Sequence, residues 1–361
     1  MHIWHKIIMK NCINIKSNQN AKLYKLQGEK MKKFYITCLI FLSTLIAAEV
    51  DSTTDQCEAT NDISTEKVFT KDFSGTFNGQ KLNYTASLKE KILYEKDNPK
   101  AELASFYYSE YTVSSDENRP IMFIFNGGPG SASLWLHMGV LGPKIVKVPS
   151  DASDDGSPPY NIIDNNLSPL SETDMVFIDP IGTGYSRALG CHDGEEFWGV
   201  NEDPKIIAEF IRRWITDNKR WNSPRYILGE SYGGIRGPLL VSELRSGDIT
   251  PIEINGLLMV APASDYQYLV FHPGNNSPHY GFFPSYAATA YYHGKVKTEK
   301  SLADFYNESK KFSLEEYGPA LLKGSRISLD ERNNLIKKYA SFTGLSERFV
   351  EDFNLRIDPS S

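Results

Sequence analysis

The chain has 361 residues, 40% of them hydrophobic, with 26 Gly and 19 Pro. That composition suits one large globular domain, or a domain carrying a cap. A net charge of −6 gives no basis for binding nucleic acid or an anionic membrane surface.

The N-terminus reads separately from the rest. Met31-Lys32-Lys33 leads into an apolar run from Phe34 to Ala48 with small residues at Ala47 and Ala48. This is a signal-peptide pattern with cleavage after Ala48. The run is shorter than the ~20 residues a membrane-spanning helix needs; a retained anchor is the alternative. The residues ahead of Met31 carry Lys and His, a single acid at Glu29 and no Arg. Met31 is therefore expected to be the true start, with a mitochondrial address as the other reading. Residues 1–48 are read as a leader, leaving no membrane span and a secreted or extracytoplasmic location (periplasm, or a vacuole- or lysosome-like compartment). Of the four cysteines, Cys12 and Cys38 would leave with it. Cys57 and Cys191 allow at most one intramolecular disulfide, and their pairing is left open.

Along the chain, alternating segments between Phe73 and Val113, such as Lys81–Leu88 and Ala104–Tyr108, predict antiparallel strands. Ile121–Phe125 is a continuous apolar run, as expected of a strand covered on both faces. It runs into Asn126-Gly127-Gly128-Pro129-Gly130, where glycines let the backbone turn with its N–H groups unobstructed. Taken alone this could be a plain glycine turn. Ser150–Pro159 is acidic and rich in Ser, Gly and Pro, and reads as a solvated loop. Met175–Ile178 is another buried strand. Asp203 is expected to cap a helix with Pro204 in its first turn, and Ile206, Ile207, Phe210, Ile211, Trp214 and Ile215 give that helix its core face.

Arg225–Leu228 then reads as a short buried strand and Ile235–Leu244 as a helix. Between them lies Gly229-Glu230-Ser231-Tyr232-Gly233. A serine on a sharp strand-to-helix turn has its hydroxyl held above the sheet, with small neighbours because helix and strand pass so closely. Ile254–Val260 is the next strand. Strands alternating with helices predict an α/β fold with a mostly parallel, doubly wound sheet. After Ala263 aromatics cluster (Tyr266, Tyr268, Phe271, Tyr280 and beyond), and charged helical stretches run from Leu302 to Asn354.

FNGGPGSAS, the stretch from Asp174 to Ala188 and GESYGG resemble the three signature blocks of the serine carboxypeptidases, exopeptidases of the α/β-hydrolase fold. The wording is most similar to the bacterial branch: Ser131 stands where most eukaryotic members have Cys. Phe197–Trp214, Arg220–Pro224 and Pro284–Lys295 are also similar to that branch. The resemblance runs from about Thr65 to Ser361. It implies an α/β-hydrolase core over residues 49–263 and a helical cap over 264–361. It also implies a peptide or protein C-terminus as substrate, with no metal and no cofactor.

Residue by residue, the resemblance implies Ser231 as nucleophile and the N–H groups of Gly128 and Tyr232 as oxyanion donors. Asn126 and Glu230 would hold the substrate's terminal carboxylate; the alternative for Glu230 is a structural carboxylate at the turn. Val140 stands where eukaryotic members carry a second glutamate, so the proton-sharing pair that favours acid conditions is absent. A serine nucleophile needs a His to take its proton and an acid to orient that His. In this fold both follow the serine in the chain, on loops after the last two sheet strands. No counterparts are found before Ser361. The last strands are expected to be missing and the chain to be an N-terminal portion, inactive by itself. His272, His279 or His293 with Asp265 or Asp304 is the substitute arrangement considered, and His137 reads as a packed helix residue. A related esterase or acyltransferase, and a non-catalytic truncated product, are the other readings of function.

Overall fold

The computed structural model describes residues 65–360 apart from 114–117, 150–152, 154–155 and 247–249. The leader and Cys57 therefore lie outside the described residues. Cys191 is disulfide-bonded. The described residues belong to one compact unit, Ala59–Ser361.

Three long antiparallel strands open the sheet: β1 (Val68–Phe77), β2 (Gln80–Tyr94) and β3 (Glu102–Thr112). β1 begins five residues before the first alternating segment, because its N-terminal half is exposed and carries no apolar pattern. The short strands are β4 (Ile121–Phe125), β5 (Lys144–Val146), β6 (Ile162–Asp164), β7 (Asp174–Ile178), β8 (Arg187–Ala188), β9 (Arg225–Glu230) and β10 (Gly256–Val260). The spatial order is β1-β2-β3-β7-β4-β9-β10, with β8 beside β3 and β5-β6 as a separate hairpin. β7, β4, β9 and β10 pair in parallel, while β3 meets β7 antiparallel. The sheet is mixed, and its parallel half carries the site.

The apolar runs are continuous because both faces are covered, and alternate residues divide between them. Phe123, Phe125, Val176, Ile178 and Ile227 share one buried cluster with α2 (Glu202–Asp217) and α3 (Gly233–Ser246). Ile124, Met175, Phe177 and Leu228 face the other way, beneath Phe77, Tyr84, Leu136 and Leu170. The six apolar residues predicted for α2 are all buried. At ~1.5–3 kcal/mol per fully buried side chain, they outweigh the cost of placing one acid in the same interface.

That acid is Asp203, and its expected role as cap is corrected. Asn201 occupies the N-cap position and the helix starts at Glu202. Asp203 is buried inside the first turn, where its carboxylate meets Arg236 at 2.6 Å. A buried guanidinium needs a nearby counter-charge more than a helix end needs a cap.

Ion pairs fasten the N-terminal ends of the parallel strands. Arg119 Nε and Arg220 Nη1 donate to the buried Asp174 at 3.0 and 2.8 Å, and Arg220 Nη2 donates to the Arg119 carbonyl at 2.5 Å.

After Ala263 the chain turns helical: α4 (Ser277–Tyr292), α5 (Leu302–Phe312), α6 (Gly318–Lys323), α7 (Leu329–Thr343) and α8 (Glu347–Asp352). They enclose their own apolar cluster around Phe283, Phe312, Tyr317, Tyr339 and Val350. Most of the aromatics pack, as read from the sequence; Tyr266, Tyr268 and Tyr292 stay exposed. Among the described residues β10 is the edge of the parallel half, with Leu258, Met259 and Val260 exposed.

Candidate active site

The site lies where β4, β7 and β9 end and the chain crosses toward its helices, the usual crevice of an open parallel sheet. Ser231 follows β9 directly and has φ +58°, a left-handed conformation that is strained for a residue with a side chain. Local packing holds it there. Its N–H donates to the Val260 carbonyl at 3.0 Å, and its carbonyl accepts from Gly234 and Ala263 at 2.9 and 2.8 Å. A methyl on Gly229 would lie 2.9 Å from the Phe125 ring and collide with Gly233. The sequence therefore needs glycine beside this turn, and the serine is presented half-exposed at its apex.

The loop after β4 comes up against the same turn. Gly127 is buried; a methyl there would overlap the Tyr232 nitrogen and lie 2.7 Å from the Glu230 carbonyl oxygen. Gly128 is exposed, with φ +107°. The Asn126-Gly127-Gly128 backbone thus touches Glu230-Ser231-Tyr232, and the two predicted oxyanion donors belong to segments in direct contact.

Asn126 is fully buried. Its Nδ2 donates to Glu230 Oε2 at 2.9 Å, and its Oδ1 accepts from the Leu136 N–H at 3.0 Å. The amide thus ties the loop after β4 to Glu230, which is half-buried. Leu136 belongs to α1 (Leu134–Leu136), which continues as a π-turn over His137–Leu141. His137 is a packed residue, as read from the sequence, though on the π-turn. It accepts or donates at 2.6 Å with the Tyr111 hydroxyl and stacks 4.5 Å from Phe177. Burial pulls its pKa down to about 4 and pushes Tyr111 up to about 12, so both are neutral at pH 7. Val140, in the same π-turn, is exposed.

Asp179, at the end of β7, accepts from the Ser133 N–H at 2.8 Å. Burial raises its carboxyl above the usual range, against the lowering effect of that bond. The Ser133 hydroxyl donates to the Ile178 carbonyl, so β7 anchors the start of α1.

No hydrogen bond joins the Ser231 hydroxyl to another side chain among the described residues. His279 is buried against the Ile357 carbonyl at 3.3 Å, His272 meets the Pro273 carbonyl at 3.1 Å, and His192 sits between Glu95 and Glu196. Asp265 caps the short helix at Tyr266–Tyr268, and Asp304, in the first turn of α5, accepts from the hydroxyl of the Ser301 cap at 2.7 Å. The substitute arrangement considered from the sequence is not assembled. Among the described residues there is also no cluster of metal-ligating side chains, and no helix is long and apolar enough to cross a membrane.

Sequence reasoning missed Arg236. A charged residue in the first turn of an apolar helix, five positions after the serine, was the available signal. Its guanidinium reaches Asp203, the Asn126 carbonyl and the Pro129 carbonyl at 2.6, 2.6 and 3.2 Å.

The sequence profile described as "Serine carboxypeptidase" matches residues 81–333. Serine carboxypeptidase-like 2 of Arabidopsis thaliana is 28% identical over 173 residues, covering 46% of this chain and 37% of that protein. Serine carboxypeptidase-like 5 of the same plant is 28% identical over 181 residues, covering 47% and 40%. The matched stretch therefore spans well under half the length of these relatives, which are plant proteins and not bacterial ones. The solved structure of a prohormone-processing carboxypeptidase from Saccharomyces cerevisiae aligns at a TM-score of 0.42 and 19% identity, covering 71% of this chain and 53% of that one.

Proposed function

The chain belongs to the serine carboxypeptidase family, and from that premise we propose that it carries the nucleophile, oxyanion and carboxylate-binding parts of a C-terminal exopeptidase site. Ser231 attacks the last peptide carbonyl of a substrate. The Gly128 and Tyr232 N–H groups receive the oxyanion. The terminal carboxylate of the substrate is received at the Asn126–Glu230 pair. Collapse of the tetrahedral intermediate expels the C-terminal amino acid and leaves an acyl ester on Ser231, which water then hydrolyses. The observation that carries this reading is the left-handed Ser231 at φ +58°, packed against the Gly127 backbone.

The base that takes the Ser231 proton, and the acid that orients it, come in our reading from polypeptide outside the described residues. Two features motivate this: none of the described histidines bonds to Ser231, and among the described residues no strand pairs with the outer edge of β10 beside the nucleophile turn. The helices after Ala263 serve as a cap, and residues 1–48 as a leader directing the protein out of the cytoplasm. Ser131 keeps a bacterial affinity as our reading of the lineage. Val140, which leaves Glu230 without a second carboxyl, favours an ester- or acyl-transferring relative as the second reading.

The secreted gene product assayed on N-blocked dipeptides should release the C-terminal residue, with release abolished in Ser231→Ala. Unchanged turnover in that variant would refute the assignment. Faster turnover of esters than of any free-carboxyl peptide would select the second reading.

A further inference from the structure

We propose that Arg236 is the positioning residue of the oxyanion loop, held in place by Asp203; the inference rests on the assignment of Gly128 and Tyr232 as oxyanion donors. Three of the five residues from Asn126 to Gly130 are glycine. Such a loop has the largest conformational freedom to lose on folding and no side chains with which to fix itself. A donor that must sit within a fraction of an ångström of a developing charge needs an external grip.

Arg236 supplies that grip from beneath. It is 1% exposed, so its charge is removed from water and committed to protein partners. Nη1 donates to the Asn126 carbonyl at 2.6 Å and Nη2 to the Pro129 carbonyl at 3.2 Å. These two carbonyls bracket Gly127 and Gly128, so both ends of the donor segment are fastened to one rigid, planar group. Nε donates to Asp203 at 2.6 Å, which balances the charge and sets the plane of the fork. The guanidinium also lies 5.3 Å from the ring centroids of both Phe125 and Tyr232. One side chain thus touches the residue before the loop, the loop itself and the residue carrying the second donor. A lysine could reach only one of these partners well, because its donors radiate from a single point.

A core ion pair with no role at the site would stabilise the whole fold evenly. Among the described residues the side-chain hydrogen bonds of Arg236 end on the loop and on α2, and on no helix after Ala263. The pair also floors a cavity of about 260 Å³ walled by Pro129, Gly130, Ile181, Thr183 and Trp198. Small cations can therefore approach the place the guanidinium would vacate.

Hydrogen exchange and kinetics on Arg236→Lys and Arg236→Ala test the proposal. In Arg236→Lys, amides of residues 126–133 should exchange at least about tenfold faster, while those of α4, α5 and α7 keep their rates. In the secreted enzyme kcat should fall about a hundredfold, the loss expected for one oxyanion donor, with KM for a blocked ester nearly unchanged. Added guanidinium should restore part of kcat in Arg236→Ala and none in Ser231→Ala. Unchanged exchange over 126–133, or a uniform rise across the molecule with kcat intact, would overturn the proposal. Should the secreted wild-type gene product prove inactive, the functional reading fails while the exchange measurement still decides the clamp. If Arg236→Lys does not fold, Asp203→Asn, which keeps an acceptor for Nε, carries the same measurements.

Discussion

The Asn126 side-chain amide donates to the Glu230 carboxylate at 2.9 Å, linking the loop after β4 to the residue just before Ser231. Neither group is free to turn, because Asn126 Oδ1 is held by the Leu136 N–H and Glu230 lies at the end of β9. In the proposed function this pair receives the terminal carboxylate of the substrate, one residue from Ser231.

This fixes the selectivity expected of the site. Asn126→Ala should cost free-carboxyl substrates roughly ten- to a hundredfold in kcat/KM, from one charge-assisted bond of ~1.5–3 kcal/mol. Amidated or esterified substrates, which lack the carboxylate, should lose far less. Equal losses on both would remove Asn126 and Glu230 from carboxylate binding. Parallel measurement of kcat/KM on one peptide with free and blocked ends settles the point.

Gly127→Ala should disable the enzyme more severely than its size suggests. The added methyl overlaps the Tyr232 nitrogen and crowds the Glu230 carbonyl, forcing both donor segments apart. A loss of about 10²–10³ in kcat is expected, the usual effect of one misplaced oxyanion donor. Thermal unfolding monitored alongside should show a folded protein; full activity in the variant would mean the two loops are not held as described.

Acid sensitivity should trace in part to His137. Its folded pKa is about 4, against 6.5 for an unperturbed imidazole, with burial as the cause. Between pH 6.5 and 4 the unfolded chain takes up a proton that the folded chain excludes, so stability falls as pH falls through this window and levels off below it. The shift corresponds to a few kcal/mol, on the order of 3. Denaturant titrations at steps of pH should show this slope, and His137→Phe should flatten it. An unchanged slope would assign the acid loss to other groups.

Much of this architecture was legible because the parallel strands are short apolar runs that only a doubly covered sheet can bury. Ser231 was legible because few arrangements other than a sharp strand-to-helix turn need glycines two residues before and two after a serine. The start of β1 at Val68 was not, since an exposed strand carries no alternation to read. Asp203 was misread for a different reason. A capping rule looks one turn ahead, whereas the partner that claims this carboxylate lies 33 residues further on. The Arg236 clamp is invisible to periodicity altogether, because its acceptors are main-chain carbonyls that any sequence supplies. The π-turn at His137–Leu141 likewise follows no local pattern.

The central claim is that Ser231 is a prearranged nucleophile whose proton acceptor is not among the described residues. Treating the purified 361-residue chain with a fluorophosphonate probe, and mapping the label by mass spectrometry, tests both halves at once. The account predicts slow, incomplete labelling, confined to Ser231 and abolished in Ser231→Ala. Rapid stoichiometric labelling of a monodisperse sample would show that this chain already holds the base, and label on any other residue would show that Ser231 is not the nucleophile.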